Sequence, residues 1–275
     1  MTGVLWVVAT PIGNLEDLTM RALRVLRECD AVLAEDTRRS GVLLKHYAIE
    51  TPLRSFHAHT PDAKVESWLD ELEAGRNLAI ITDAGTPLIS DPGARLVEGA
   101  RARGLVVHAV PGPSAVIAAL SIAGIRADRF AFEGFVPRSG TARREALQNI
   151  EESPRATVVF ESPRRLGTLL NDLASRIGDR RVAVCRELTK LHEEVAQGTA
   201  SELAARFSEP PKGEITVVIE GRRGERSELD VEEAIAAGLR AGQKPGDIAK
   251  AVAAMGVLSR SEAYERVLSA RQEEE

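Results

Sequence analysis

The sequence predicts an α/β protein made of two tandem α/β domains with a cleft between them, followed by a small helical extension. Three observations lead to this prediction. Short β-branched runs alternate with amphipathic segments, which is typical of sheets whose strands are connected through helices. The chain has 275 residues, which is enough for two cores. From about Gly224 onward the pattern becomes Ala-rich and purely helical in period.

The first predicted domain, residues 1–115, contains four strand-like runs bounded by turn residues. They are VLWVVA (4–9), AVLAE (31–35), LAIIT (78–82) and LVVHAV (105–110). The segments between them read as helices; the clearest opens at Asp62, closes at Gly75 and carries an apolar stripe at i, i+3, i+4 and i+7: Val65, Trp68, Leu69 and Leu72. Strands connected in this way are expected to be mostly parallel.

The strand rhythm restarts in the second predicted domain, residues 116–223. Its strand-like runs are RFAFEGF (129–135), ATVVFE (156–161), RVAVCREL (181–188) and EITVVIEG (214–221). The two halves share no residue-level repeat. They are therefore expected to be two domains whose cleft is the natural place for a ligand.

Residues 224–275 predict three short helices punctuated by Gly238, Gly242 and Gly256. The apolar positions Ile248, Val252 and Met255, a glycine-containing turn, and Ser259 as the cap of a helix carrying Glu262, Tyr264 and Val267 resemble a helix-turn-helix. The same spacing fits a helical bundle or a dimer arm equally well.

Composition narrows the possible partners and compartment. The formal net charge of −5 and the pI of about 5.7 give no bulk positive field, so any nucleic-acid contact must come from a local patch. The two cysteines, Cys29 and Cys185, are far apart and lie in no metal-binding pattern, which favours a reducing compartment over a disulfide framework or structural zinc. With no targeting or membrane-spanning pattern visible, the expected location is the cytoplasm.

Unusual loops follow three strands of the first domain: ATPIGNLED (9–17), TDAGTPLISDPG (82–93) and VPGPSA (110–115). Ligands of open α/β sheets bind outside the carboxyl ends of the strands. The chain has neither a GxxxxGK[ST] motif nor a GxGxxG motif after a strand, so the commonest phosphate cradles are absent. Prolines that fix the backbone and glycines that allow close approach predict a compact ligand held by main-chain groups.

Seven motifs in this order are specific when taken together: ATPIGNLEDLT, AEDTR (34–38), TDAGTPLISDPG, VPGPSA, FEGF (132–135), FESPRR (160–165) and RELTK (186–190). Over about residues 4–221 the chain resembles the ribosomal RNA small-subunit methyltransferase I group of the tetrapyrrole methylase superfamily. The resemblance implies S-adenosylmethionine in the interdomain cleft and methylation of the ribose 2′-hydroxyl of a cytidine in the decoding region of 16S ribosomal RNA, expected at nucleotide 1402. It also implies a homodimer, and it leaves open whether the substrate is the RNA alone or the assembled 30S subunit, of which the subunit is favoured.

The resemblance assigns cofactor contacts by position. They are Pro11, Ile12, Gly13, Asp83, Ala84, Gly85, Thr86, Ile89, Ser114 and Ala115 from the first domain, and Phe160, Glu161, Leu188, Glu214 and Ile215 from the second. In the wider superfamily the central motif carries an acid where this chain has Thr86. The partner of the cofactor's ammonium group is therefore left open.

Carboxylates near these motifs are candidates for the base that accepts the hydroxyl proton. They are Glu35, Asp36 and Asp83, with Glu187 as a further candidate. The segment EDTRR (35–39) joins two carboxylates to two guanidinium groups and is suited to orient a ribose and bind a phosphate. The alternative is a plain helix start, with Asp36 or Thr37 as the cap.

Paired arginines are the expected RNA contacts of an acidic protein, because phosphate binding needs local positive charge. The candidates are Arg38, Arg39, Arg138, Arg143, Arg144, Arg164 and Arg165. Residues 136–145 are expected to form a mobile RNA-contacting loop. No metal site is predicted, because His57 and His59 have no third histidine nearby.

Two other functions fit parts of the sequence. One is a methylase of the same superfamily that acts on a small tetrapyrrole or a protein side chain. The AEDTR and FESPRR motifs argue against this alternative. The other is a nucleic-acid-binding regulator led by a helix-turn-helix at 244–270.

Overall fold

The computed structural model describes residues 2–89, 93–222, 228–255 and 258–274. The chain forms two compact units, Met1–Arg222 and Arg223–Glu275. The larger unit contains two five-stranded sheets with helices, and the smaller one is helical. The predicted α/β class with a C-terminal helical extension is therefore confirmed, while the division of the larger unit into domains near residue 115 stays a prediction.

The first sheet is entirely parallel. Its strands are β1 (Val4–Val8), β2 (Ala31–Ala34), β3 (Leu53–Ser55), β4 (Leu78–Ile81) and β5 (Val106–Val110). They lie in the order β3-β2-β4-β1-β5, so the carboxyl ends of β2, β4, β1 and β5 share one edge. The sequence gives no signal for β3, because three half-buried residues are too few to show an alternating pattern.

Helices cover both faces of this sheet, as a parallel sheet requires. They are α1 (Met20–Glu28), α2 (Thr37–His46), α3 (Asp62–Glu73) and α4 (Ala94–Ala102). Val32 and Ala34 of β2 pack with α1 and α2, whereas Ala31 and Leu33 pack with α3 and α4. The stripe predicted for α3 is confirmed, since all four of its apolar residues are buried.

The second sheet is mixed. Its strands are β6 (Phe130–Phe135), β7 (Ala156–Glu161), β8 (Arg181–Arg186), β9 (Glu194–Thr199) and β10 (Ile215–Ile219), in the order β6-β7-β10-β8-β9. Only β6 and β7 are parallel; β10 runs antiparallel to β7 and β8, and β9 runs antiparallel to β8. The amino end of β10 therefore lies at the same edge as the carboxyl ends of β7 and β8.

Four helices accompany the second sheet: α5 (Ala115–Ile122), α6 (Gly140–Glu152), α7 (Pro163–Ile177) and α8 (Ala200–Arg206). The apolar faces of α6, α7 and α8 share one core with the sheet. On the opposite face, α5 packs against β10. The expected loop at 136–145 is wrong over its second half, because residues 140–145 form the start of α6 after a turn at Gly140.

The smaller unit consists of α9 (Glu228–Arg240), α10 (Pro245–Ala253) and α11 (Arg260–Glu274), so the three predicted helices are confirmed. Ile248, Val252 and Val267 lie in its core. The predicted cap is present: the Glu262 backbone N–H donates to Ser259 Oγ at 3.3 Å, and the Ser259 N–H donates to Glu262 Oε2 at 2.7 Å. The predicted turn residue Gly256 lies outside the described residues.

Both cysteines are buried, in separate apolar clusters. Burial raises the pKa of Cys29 to about 11 and that of Cys185 to about 12, so neither thiol ionises near neutral pH. None of the described helices is both long and apolar enough to cross a membrane.

Candidate functional site

A cavity of about 450 Å³ lies in the larger unit, between the loops after the carboxyl ends of the first sheet's strands and the edge of the second sheet where β7 and β8 end and β10 begins. One part of the wall comes from the loops that follow the strands of the first sheet and from the start of α5: Ile12, Glu35, Arg39, Asp83, Ala84, Gly85, Thr86, Ile89, Ser114, Ala115 and Val116. The other part comes from the side of the second sheet: Phe135, Phe160, Glu161, Ser162, Pro163, Leu188, Gly213, Glu214, Ile215 and Thr216. The volume is in the range of small-molecule sites.

Main-chain hydrogen bonds tie the three loops of the first sheet together. Thr10 and Gly85 form an isolated antiparallel bridge, with N–H to carbonyl distances of 2.9 and 3.0 Å. The buried Thr10 hydroxyl also donates to the Thr82 carbonyl at 3.0 Å. Gly85 has φ +84°, a conformation that glycine adopts without strain. Thr86 Oγ1 donates to the Pro113 carbonyl at 3.3 Å, which joins the second loop to the third.

Asp83 connects the loop after β4 to the loop after β2. Its Oδ1 accepts the Asp36 N–H at 3.2 Å, and its Oδ2 lies 3.4 Å from Arg39 Nη1. Glu35 lines the cavity beside this pair. Arg39 is 70% exposed and carries positive charge at the cavity wall.

Asp36 does not line the cavity, and its carboxylate is the N-cap of α2. It accepts hydrogen bonds from the backbone N–H of Arg38 at 2.9 Å and from that residue's guanidinium. These bonds, the side-chain bond foremost, lower the pKa of Asp36 to about 2. Such a carboxylate is a weak proton acceptor.

The amino end of α5 faces the cavity through Ser114, Ala115 and Val116. The first N–H groups of a helix have no intrahelical acceptor, and they carry the positive end of the helix dipole. The Ser114 side chain does not cap them. This part of the wall is therefore suited to a carboxylate or another small acceptor group.

A buried ion pair supports the second sheet's side of the cavity. Glu161, whose side chain is fully buried, ends β7, and its Oε2 lies 3.0 Å from Arg165 Nη2 on the first turn of α7. Its Oε1 accepts the Ser162 N–H at 2.7 Å. Arg165 also donates to the Val136 carbonyl. These contacts fix the turn that presents Ser162 and Pro163 to the cavity.

A second charged network holds the segment after β8. Lys190 Nζ lies 2.7 Å from Glu187 Oε1 and 2.8 Å from Glu214 Oε2, and Glu187 Oε1 also accepts the Glu214 N–H at 3.0 Å. The hydrogen bond from Lys190 lowers the pKa of Glu187. Partial burial alone would lower the pKa of Lys190, but its two carboxylate partners outweigh it and raise that pKa.

Strained backbone accompanies this network. Glu187 and Thr189 have φ values of +52° and +66°, a region that residues with side chains rarely adopt. Between them, Leu188 points its side chain into the cavity wall. Gly213 and Gly13 complete the fit: a Cβ on Gly213 would lie 2.3 Å from the Glu187 carboxylate, and one on Gly13 would lie 2.5 Å from Lys190 Cγ.

Most of the residues predicted to contact a cofactor are brought together in this cavity. Pro11 and Gly13 are the exceptions, since neither lines it. Ser90, Asp91 and Pro92, in the loop that follows β4, lie outside the described residues. The roles of the lining residues stay predictions.

Sequence reasoning missed six lining residues: Val116, Phe135, Ser162, Pro163, Gly213 and Thr216. Five of them lie next to predicted site residues in the chain, but adjacency alone does not show which neighbours face a cavity. Phe135 belongs to the FEGF motif, but its direction depends on a strand irregularity that the sequence does not reveal.

The arginines predicted to contact RNA fall into two groups. Arg143 is 11% exposed and donates to Asp172, and Arg165 is engaged with Glu161, so both guanidinium groups are used within the protein. The others are exposed: Arg38, Arg39, Arg138, Arg144 and Arg164.

No group of three or more His, Cys, Asp or Glu side chains within the described ranges is arranged to hold a metal ion. His57 and His59 lie in a turn after β3 rather than on one strand face, with ring centroids 6.4 Å apart.

Comparison with known proteins places this site in a family. Residues 4–204 match the profile of the tetrapyrrole (corrin/porphyrin) methylases. The chain belongs to the tetrapyrrole methylase family. Proteins of this family transfer methyl groups, so the chain is a methyltransferase that requires a methyl donor.

Curated relatives narrow the family further. Proteins named ribosomal RNA small subunit methyltransferase I are 48% identical over 221 residues in Thermotoga maritima, 47% over 223 in Xylella fastidiosa and 44% over 231 in Escherichia coli O157:H7. The matches cover 80%, 80% and 82% of this chain, and 99%, 82% and 81% of the relatives. The resemblance drawn from the seven motifs is therefore confirmed.

Solved structures share the fold at low identity. Uroporphyrin-III-C-methyltransferase from Thermus thermophilus has a TM-score of 0.55 at 22% identity, over 78% of this chain and 94% of that one. Cobalt precorrin-4 methyltransferase has a TM-score of 0.60 at 17% identity, over 79% and 94%, and diphthine synthase 0.60 at 13%, over 79% and 89%. At these identities the likeness concerns the fold alone.

Proposed function

We propose that this enzyme transfers a methyl group from S-adenosylmethionine to the 2′-hydroxyl of a cytidine in the decoding region of 16S ribosomal RNA, at nucleotide 1402. The observation that carries the proposal is the cavity, which joins carboxylates, apolar side chains and unpaired helix N–H groups in one wall. The names of the relatives supply the class of substrate.

The charge of the cavity fits this donor. The lining residues carry four carboxylates (Glu35, Asp83, Glu161 and Glu214) and one guanidinium group (Arg39). Three of these carboxylates also have cationic partners: Asp83 with Arg39, Glu161 with Arg165 and Glu214 with Lys190. The wall therefore offers oxygen acceptors to an ammonium or sulfonium group without a large excess of either charge. In this proposal, the amino end of α5 receives the donor's carboxylate.

The apolar part of the wall suits an adenosine. Ile12, Phe160, Leu188 and Ile215 bring aliphatic and aromatic surface to the cavity from both sheets. Gly85 lines the cavity without a side chain, so a ligand can approach its backbone closely. When bound, the donor supplies an electrophilic methyl carbon on sulfur.

The chain's own contribution to the chemistry is to position the acceptor and receive its proton. Holding two reactants in attack geometry is worth about 7–11 kcal/mol. Because Asp36 is occupied as a helix cap with a pKa of about 2, the proposal assigns the proton acceptor to Glu35 or Asp83, which line the cavity. The exposed arginines, Arg39 first among them, bind the flanking phosphates.

Methyl transfer tests the proposal directly. 30S subunits from cells lacking the gene for this chain should accept a tritiated methyl group from S-adenosylmethionine, and mass spectrometry should locate it on one ribose. Naked 16S RNA, a tetrapyrrole and a total protein extract are the comparison substrates. Incorporation into either of the last two, with none in the subunits, would overturn the proposal.

The residue that accepts the proton of the ribose hydroxyl is tested separately. Glu35→Gln should lower kcat about 10²- to 10⁴-fold with little change in donor affinity, the usual effect of losing a general base. Asp36→Asn, in which the cap is kept, is the matched control and should retain activity. An unchanged kcat in Glu35→Gln would leave Asp83 as the acceptor.

The proposal places the protein in the cytoplasm, because ribosomes are its substrate. It also includes a homodimer, because the family resemblance implies one. The family profile matches residues 4–204, all of which lie in the larger unit, and this supports a catalytic role for that unit. Removal of residues 223–275 should therefore preserve donor binding and weaken engagement of RNA. Loss of donor binding would favour the regulator hypothesis instead.

A further inference from the structure

The aromatic residue Phe135 stands at the cavity with its ring largely open to solvent. It lines the cavity, yet it is 56% exposed. A single exposed apolar residue is common on a protein surface, but this ring lies on the wall of a concave site, where its open face is available to a ligand.

A strand irregularity turns this ring toward the cavity. Phe132 pairs with Val158 and Phe135 pairs with Phe160, so three steps along β6 accompany two along β7. The extra residue is accommodated at Gly134, which has φ +63°. In a regular strand Phe132 and Phe135 would point to opposite faces, but the bulge brings both to the same one.

The rings form a continuous aromatic series. Phe132 and Phe160 meet edge to face with centroids 4.9 Å apart, and Phe160 and Phe135 are 5.6 Å apart. Phe132 and Phe160 pack against the apolar cluster behind the cavity. Phe135 therefore has a rigid support on one side and solvent on the other.

Positive charge lies at the same cavity. Arg39, 70% exposed, contributes its guanidinium to the wall that Phe135 completes. An aromatic ring and an exposed cation in one site are the combination with which proteins hold single-stranded nucleic acid, by stacking on a base and pairing with a phosphate.

From these observations we infer that Phe135 is the stacking platform for a nucleobase of the RNA substrate. The inference rests on the proposed function and extends it from the ribose hydroxyl to the nucleobase. A ribose hydroxyl that enters a concave site carries its base out of the RNA stack, and the ring of Phe135 replaces the lost stacking partner. Arg39 holds the adjoining phosphate.

The experiment compares ringless and ring-bearing variants in the full-length protein. Phe135→Leu and Phe135→Met remove the ring at similar bulk, and Phe135→Tyr keeps it. Phe130→Leu is the matched control, because Phe130 lies on the same strand, is 39% exposed and does not line the cavity. The measurements are KM for 30S subunits from gene-deleted cells, Kd for S-adenosylmethionine by calorimetry, and the sedimentation coefficient.

Both ringless variants should raise KM for the subunits about 5- to 150-fold, the range for one base stacked on one aromatic side chain. Phe135→Tyr and Phe130→Leu should stay close to the unaltered protein, and donor Kd should not change in any variant. An unchanged KM in the ringless variants overturns the inference. It is also overturned if donor affinity falls equally, which would assign the ring to the donor, or if the dimer dissociates, which would assign it to a subunit interface.

The same experiment distinguishes a failure of the proposed function from a failure of the stacking platform. If the unaltered protein methylates no ribosomal RNA, the proposed function itself is wrong. If it does and the ringless variants match it, only the stacking platform is wrong.

Discussion

The first and second sheets both end at the cavity, but they fix their cavity-facing residues by different forces. On the first sheet, backbone hydrogen bonds join the loops, with the Thr10–Gly85 bridge at the centre. On the second sheet, ion pairs hold the wall: Glu161 with Arg165, and Lys190 with Glu187 and Glu214. The first side should therefore respond to changes in shape, and the second to changes in charge, salt and pH.

The largest expected effect comes from the buried pair of the second side. Arg165→Met should lower the free energy of unfolding by about 3 kcal/mol, because it leaves the fully buried Glu161 carboxylate without its cation. Urea unfolding followed by circular dichroism measures the loss. The control Arg24→Met removes an exposed pair with Glu28 and should cost under about 0.5 kcal/mol. Equal losses would contradict the importance of burial here.

Shape is tested on the first side at Gly85. Gly85→Leu should weaken S-adenosylmethionine binding about 100-fold or more, equivalent to about 2.7 kcal/mol, because the new side chain enters the cavity. Gly104→Leu is matched to it, since Gly104 also has positive φ (+69°) but has open space around it and does not line the cavity. Calorimetry compares the two. Comparable affinity in both variants would contradict the assigned site.

A smaller effect is expected at Lys190, the cation of the second network. Lys190→Met should weaken donor binding about 5-fold, about 1 kcal/mol for a partly exposed ion pair, because Glu187 and Glu214 then repel each other beside Leu188. Arg206→Met is the control, since it removes a pair with Glu194 that lies away from the cavity wall. Rising salt should narrow the difference between unaltered protein and Lys190→Met, and a difference independent of salt would argue against a charge effect.

The smallest expected effect is on the pH dependence of stability, and it distinguishes the carboxylate of Glu187 from that of Asp36. The hydrogen bond from Lys190 lowers the pKa of Glu187 from its ordinary 4.5, so its contribution to stability is present above about pH 4.5 and is lost as the pH falls below it. Asp36, held by Arg38, has its pKa lowered from 3.8 to about 2, so its contribution is lost as the pH falls from 3.8 through about 2.

Glu187→Gln and Asp36→Asn should each remove part of the acid sensitivity of the unfolding free energy, measured with urea at pH 7, 5 and 3.5. Only Glu187→Gln should also weaken donor binding at pH 7, because only Glu187 supports the cavity wall. An unaltered acid slope in Glu187→Gln would show that its ion pair is not formed in solution.

The two sides also differ in how much the sequence predicted. On the first side, the loops follow buried strands and carry Pro and Gly at fixed places, so local pattern located the loops, and the family resemblance then pointed to Gly85, Thr86 and Ser114 within them. The parallel direction of the strands followed from the alternation of strands and helices, whereas their order in the sheet did not. Of the strands in the first sheet, β3 was not predicted, because three residues are too few to show a strand pattern.

On the second side, local pattern was insufficient. The antiparallel course of β10 decides that Gly213 and Thr216 reach the cavity, and strand direction depends on long-range pairing. The bulge at Gly134 decides the direction of Phe135. The ion pairs of Arg143 and Arg165 also depend on tertiary contacts, so paired arginines that resemble an RNA surface in the sequence include two that stabilise the fold.

The burial of Cys29 and Cys185 has a practical consequence. With thiol pKa values of about 11 and 12 and both side chains buried, neither cysteine is expected to react readily with maleimide reagents at neutral pH. A cysteine introduced on the exposed surface would thus carry a fluorophore or spin label on an otherwise native background. Interprobe distances across the two sheets could then be followed while a substrate docks, without first removing the natural thiols.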